Sequence, residues 1–176
     1  MNIRIATDHD REDIKRIYSS AFPKGEREIV TKLAVELLSE KTIPKTISLI
    51  AEVDDVVVGH IAFSPVRIDD SDHCRAYILA PLAVQADCQR RRIGSMLIEY
   101  GLRQLSVAEI NIVFVYGDPK YYGRFGFDAE TARNYIAPCE LQYPFGWQAV
   151  VLKECSGRGA PSTITCVRSL CDPELW

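Results

Sequence analysis

The fold is decided by the stretch Leu82-Ala83-Val84-Gln85-Ala86-Asp87-Cys88-Gln89-Arg90-Arg91-Arg92-Ile93-Gly94-Ser95. It begins as an apolar strand, passes through a polar turn and enters a helix whose first residues are cationic. A helix start offers unpaired backbone N–H groups and the positive end of the dipole. The small residues Gly94 and Ser95 let an anion come close to that backbone. Acids usually occupy a first helical turn, so Arg90, Arg91 and Arg92 each cost roughly a few tenths of a kcal/mol there. A bound phosphate or pyrophosphate reverses that sign. The plain alternative is a solvated basic patch.

Outward from this stretch the chain alternates between two periods. Upstream, Ile3 to Ala6 is a short strand ending in the capping pair Thr7-Asp8. Ile14, Ile17, Tyr18, Ala21 and Phe22 then follow a helical spacing that Pro23-Lys24-Gly25 breaks. Ile29, Val30, Leu33, Leu37 and Leu38 mark a second helix, closed off by Pro44. Ile47 to Val53 and Val56 to Ser64 are β-rich runs joined at Asp54-Asp55 as a hairpin. A second polar turn at Asp69 to His73 precedes the strand Ala76 to Val84.

Downstream, Ile93 to Ser106 reads as a helix and Ile112 to Tyr116 as a strand. Asp118-Pro119 is an N-cap with proline in the first turn, and Gly126 ends that short helix. The segment after Phe127 is loop-rich until a strand at Ala149 to Leu152. A Gly-Pro-Ser linker from Ser156 to Ser162 leads to a last strand at Thr163 to Val167. The order β-α-α-β-β-β-α-β-α-β-β defines a mixed α/β single domain.

Composition narrows the class further. Hydrophobic residues make up 47% and charged residues 26% of the 176, which is globular rather than disordered. A net charge of −3 argues against a nucleic-acid partner. No apolar run reaches the ~18 residues that span a bilayer, and no secretory signal is visible, so a cytoplasmic protein without a membrane partner is expected. Cysteines stand at 74, 88, 139, 155, 166 and 171 without a Cys-x-x-Cys pair, and His9, His60 and His73 lack zinc-finger spacing. Free, reduced thiols and no metal site are therefore expected.

Two segments carry a resemblance. Gln89-Arg90-Arg91-Arg92-Ile93-Gly94, preceded by Leu82-x-Val84, resembles motif A of the GNAT N-acetyltransferases, Gln/Arg-x-x-Gly-x-Gly/Ala. Asp118-Pro119-Lys120-Tyr121-Tyr122-Gly123-Arg124-Phe125-Gly126-Phe127 is similar to the Tyr-x-Lys/Arg-x-Gly-Phe ending after that family's fifth strand. Together with Gly59-His60-Ile61-Ala62-Phe63-Ser64-Pro65-Val66, the wording looks most like the bacterial YhbS-like branch. The resemblance implies the GNAT acyl-CoA N-acyltransferase fold. It would be one domain over residues 1–153, with a mixed, mostly antiparallel sheet flanked by helices and an extension at 154–176 that completes the sheet.

The same resemblance implies acetyl transfer from acetyl-CoA to a primary amine, by direct attack in a ternary complex. The backbone of Leu82, Ala83 and Val84 would pair with the pantetheine arm. The turn Gln89, Arg90, Arg91, Arg92, Ile93, Gly94 and Ser95 would hold the phosphates. Tyr122 matches the family's general acid for the leaving thiolate, with Tyr121 as its competitor; the plain alternative is a packed aromatic. Arg92 departs from the family at its first motif glycine. If that position needs positive φ, the Cβ narrows the approach to the pyrophosphate; with helical dihedrals the side chain swings outward.

The central strand carries no carboxylate, so the base stays open among Glu52, His60, Tyr77, Tyr116, Asp118 and water. By family analogy Phe22 to Arg27, His60 to Ser64 and Asn134 to Trp147 shape the acceptor pocket, with Tyr135, Tyr143, Phe145 and Trp147 as packing surfaces. The acceptor would be a small-molecule amine or a protein amino group, and a homodimer is compatible with the family. The alternative is a non-catalytic CoA-binding sensor or interaction module on the same fold.

Overall fold

The computed structural model describes residues 1–69, 73–155 and 161–176. Most of the polar turn expected at Asp69 to His73 and most of the linker expected at Ser156 to Ser162 lie outside the described residues. In chain order the elements are β1 (Asn2–Ile5), α1 (Arg11–Ala21), α2 (Lys24–Ser39), β2 (Ile47–Val53), β3 (Val56–Ile68) and β4 (Ala76–Val84). They continue with α3 (Ile93–Val107), β5 (Ile112–Tyr116), α4 (Pro119–Tyr122), α5 (Ala129–Ala132), β6 (Tyr135–Ile136), β7 (Trp147–Val151) and β8 (Ser162–Thr165). Asp54 and Asp55 both take positive φ, 50° and 62°, and close the β2–β3 hairpin as its central turn residues.

The main path of the sheet runs β1-β2-β3-β4-β5-β7. Every neighbour on it is antiparallel except β4 and β5, which run parallel from Ala76↔Ile112 to Leu79↔Val115. Beyond Leu79 that pairing stops while β4 continues to Val84. Pro81, without an N–H, lies just past the last pair, and the register to β3 shifts across the same level, between Ile61 and Phe63. The shift also exchanges faces. Ile78 packs toward α2, whereas Leu82 and Val84 pack toward α3, and Ala83 joins the cluster under α1.

Helices cover both faces. Ile14, Ile17 and Tyr18 of α1 are fully buried against Ile50 and Ala83, and Leu33 and Leu37 of α2 cover Ala62 and Ile78. On the other face Ile93, Leu97, Ile98 and Leu105 of α3 lie over Leu49, Ile61, Phe63, Leu79 and Val115. Gly101 sits where α3 crosses β3, and any Cβ there would run into the Phe63 ring. The tail returns to the α2 face: β8 pairs with the end of β3 and with β6, and Leu170 and Trp176 are buried with Phe114 and Trp147.

One expectation about cysteine is corrected. Cys74, just before β4, is disulfide-bonded to Cys155, just after β7; Cys88, Cys139, Cys166 and Cys171 are free. The parallel β4–β5 pairing and the antiparallel β5–β7 pairing bring those two strand ends to one side of the sheet, which sequence spacing alone does not reveal.

Candidate active site

Where β4 and β5 part, a cleft of about 670 Å3 opens toward the start of α3. Leu82, Ala83, Val84, Gln89, Arg90, Arg92, Ile93, Gly94 and Ser95 line it, joined by Ala21, Phe22, Cys88, Asp118, Lys120, Tyr121 and Arg124. Of the phosphate-turn residues expected from the sequence, only Arg91 is not on the wall. The first backbone bond into α3 is Met96 N–H to Arg92 O at 2.9 Å, so the N–H groups of Ile93, Gly94 and Ser95 precede the helical ladder. Three unladdered N–H groups, a helix dipole and the cations of Arg90, Lys120 and Arg124 make this end of the cleft electropositive.

The turn before α3 is held from several sides. Arg16 of α1 bonds the Gln85 carboxamide oxygen and donates to Val57 O at 3.0 Å. Gln89 donates from Nε2 to Val84 O at 3.1 Å, and Ala86 N–H donates to Ser20 Oγ at 3.3 Å. Arg90 and Arg92 both sit in the left-handed region, at φ 61° and 63°. The positive-φ alternative is therefore the one realised at Arg92. Its side chain still turns outward, to an exposed ion pair with Glu99 at 3.8 Å, so the cleft floor is left to the glycine and serine that follow. Left-handed dihedrals at a non-glycine residue cost about 1–2 kcal/mol, a strain carried here at the mouth of the cleft.

Tyr121 and Tyr122 divide the roles of their corner. Tyr121 is the wall residue: its hydroxyl lies 2.7 Å from where a Cβ on Gly94 would stand, and Arg124 stacks on its ring at 4.5 Å. Burial raises its phenol pKa. Tyr122 sits behind it, edge-on to Tyr121 at 5.1 Å and to Phe127 at 5.9 Å, with its ring over Gly117. Burial, then the nearby Tyr121 and Asp118, push the Tyr122 phenol well above its ordinary value, so it stays protonated at neutral pH and is a weaker acid than a free phenol.

The candidate bases fall apart in space. His60 is fully buried with both ring nitrogens engaged, Nδ1 with Tyr18 Oη at 2.9 Å and Nε2 with Ser48 Oγ at 2.8 Å. Burial pushes its pKa down to about 3, so it is a neutral core histidine. Glu52 pairs with Arg4 at 2.8 Å across β1 and β2, and Tyr77 donates to Lys45 O at 2.9 Å. The Tyr116 hydroxyl accepts from Tyr143 N–H at 2.8 Å. Asp118 alone among the five lines the cleft, and its Oδ1 caps α4 by accepting from Lys120 N–H at 2.9 Å.

The aromatic acceptor surface also divides. Trp147 is buried, stacked on Phe114 at 5.1 Å and donating from Nε1 to Tyr135 O at 2.9 Å, and Tyr135 packs edge-on to Phe114 at 5.0 Å. Both belong to the core. Tyr143 and Phe145 remain exposed, with ring centroids 5.8 Å apart. No group of three or more His, Cys, Asp or Glu among the described residues could hold a metal, and no helix among them is long and apolar enough to cross a membrane.

A parallel strand pair that parts over a helix N-terminus, inside a sheet covered by helices on both faces, is the layout of an acyl-CoA N-acyltransferase. A family model described as an acetyltransferase (GNAT) domain matches residues 2–129. The chain belongs to this GNAT family of acetyl-CoA-dependent acetyltransferases. It is similar to the uncharacterized N-acetyltransferase YjhQ of Escherichia coli K12, with 32% identity over 131 residues, 73% of this chain and 71% of that protein. The uncharacterized N-acetyltransferase YhbS of the same strain is 31% identical over 129 residues, 73% of this chain and 74% of its own. The crystal structure of E. coli YhbS in complex with CoA has a TM-score of 0.80 and 25% identity, covering 96% of this chain and 90% of that one. A GNAT acetyltransferase from Brucella melitensis in complex with acetyl-CoA follows at 0.68 and 29%, covering 96% of each chain.

Proposed function

We propose that the protein transfers the acetyl group of acetyl-CoA to a primary amine by direct attack in a ternary complex. The observation that carries this reading is the cleft itself: a β4 edge free of β5 past Leu79, leading to the unladdered N–H groups at the start of α3. The residues fit the cosubstrate. Ile93, Gly94 and Ser95 would hold its pyrophosphate by backbone N–H groups, with Arg90 and Arg124 supplying charge. The free edge of Leu82 to Val84 would take the pantetheine arm. The cosubstrate supplies an acetyl group activated as a thioester. Tyr122, kept protonated by burial, is the proton donor for the leaving sulfur, and deprotonation of the amine falls to water, with Asp118 the only candidate carboxylate on the wall.

The acceptor is a small-molecule amine or a protein amino group; the net charge of −3 favours a cationic acceptor over a nucleic acid. Cytoplasmic residence fits the use of acetyl-CoA, while the Cys74–Cys155 bridge is uncommon in a reducing compartment. Four of the five candidate bases, and Tyr122 itself, lie off the wall, an observation that favours the second reading, a CoA-binding module without catalysis. Thermal unfolding with acetyl-CoA, with ADP and pantetheine as controls, followed by an amine screen, separates the two. Cosubstrate at about 100 times its Kd adds roughly 2.7 kcal/mol, or about 5–10 °C for a chain of this size. A shift without amine-dependent CoA release supports the module; no shift at millimolar acetyl-CoA overturns both.

A further inference from the structure

Gly117 joins β5 to the corner that starts α4. The Tyr122 ring lies over its Cα, leaving no room for a Cβ, so packing of this tyrosine demands glycine. That demand leaves the joint with the widest backbone freedom in the molecule's repertoire. The restraint is supplied from β7. Gln148, 1% exposed, donates from Nε2 to Gly117 O at 3.1 Å and to Gly146 O at 3.2 Å, while Gly117 N–H donates to Gly146 O at 2.9 Å. Two carbonyl oxygens on one side of the carboxamide fix which end is the amide. Downstream of the clamped peptide, Asp118 O accepts from both Tyr121 N–H and Tyr122 N–H at 3.0 Å.

We propose that Gln148 is a positioning residue that clamps the Gly117 joint and thereby aims Tyr122. The inference rests on Tyr122 as the proton donor. Gln148 does not line the cleft, and its Oε1 has no partner among the described residues. A buried orphan acceptor is normally selected against. Its presence at the joint fits a carboxamide that serves through its two donated bonds, which an apolar side chain of equal length could not make.

The test is a double-mutant cycle of Gln148→Met with Tyr122→Phe, run on proteins checked for cooperative unfolding, with spermidine as the amine probe. Gln148→Met is expected to lower kcat about tenfold with the KM for acetyl-CoA unchanged, and to have no further effect once Tyr122 is Phe. An equal loss in both backgrounds overturns the clamp. A Tyr122→Phe variant with wild-type turnover overturns the donor assignment instead. A second arm needs no acceptor: in protein labelled with 3-fluorotyrosine, the resonance lost in Tyr122→Phe should shift or broaden in Gln148→Met while that of Tyr18 stays. An unchanged Tyr122 resonance overturns the proposal whatever the activity.

Discussion

Arg92 stands in a backbone conformation that glycine holds without strain, at φ 63°, and its side chain points away from the cleft to Glu99. Arg92→Gly is therefore expected to stabilise the fold by about 1 kcal/mol, read in urea unfolding, and to leave acetyl-CoA affinity within a few-fold. A large affinity loss would show that the guanidinium itself reaches the phosphates. Tyr122→Phe should reduce turnover about a hundredfold with cosubstrate binding intact, measured by kinetics and calorimetry side by side. Two buried groups contribute to acid stability. The pKa of His60 falls from 6.5 to about 3 on folding, so the unfolded chain binds the extra proton and stability declines as pH drops from about 6.5 toward 3. Asp10, lowered to about 2 chiefly by its hydrogen bond from Arg4, loses its contribution only as pH falls from about 4 toward 2. Urea midpoints against pH should slope upward between pH 4 and 6.5, and His60→Gln should flatten that slope.

Among the elements, the strand–turn–helix of β4 and α3 does the positioning, and the tightest glycine on its cleft wall is Gly94, beneath the Tyr121 hydroxyl. Gly94→Ala is expected to weaken acetyl-CoA binding at least tenfold while changing the unfolding midpoint little, since the displaced group lines an open cleft rather than the core. Equal binding by calorimetry would move the phosphate site elsewhere. Much of this unit was legible in the sequence, because apolar alternation, an arginine turn and Gly94-Ser95 each have a local meaning. The αL state of Arg92 was open, since glycine at that position in the family could reflect space or φ. The face exchange across Ala80-Pro81 was not legible, for it depends on a register shift against β3. His60 looked like a candidate base for the same reason: nothing in its neighbours along the chain announces Tyr18 and Ser48 on either side of its ring.

At the scale of the molecule, long-range closure was the hidden part. Tyr135 and Trp147 read as pocket aromatics because their segment is loop-rich, yet β7 returns beside β5 and draws both into the core with Phe114. The Cys74–Cys155 bridge spans 81 residues of sequence, and a loop of that length constrains the unfolded chain by on the order of 4 kcal/mol. Reduction under native conditions should therefore lower the unfolding midpoint by about 10 °C, and Cys74→Ala should reproduce the shift. A midpoint indifferent to reductant would mean that the two thiols are unbonded in solution.

Direct transfer requires amine and acetyl-CoA to occupy the cleft together. Initial rates of CoA release, with an accepted amine and acetyl-CoA both varied, test it directly. Intersecting double-reciprocal lines are expected, together with loss of activity in Tyr122→Phe. Parallel lines, the mark of an acetylated enzyme formed before the amine binds, would contradict direct transfer in a ternary complex.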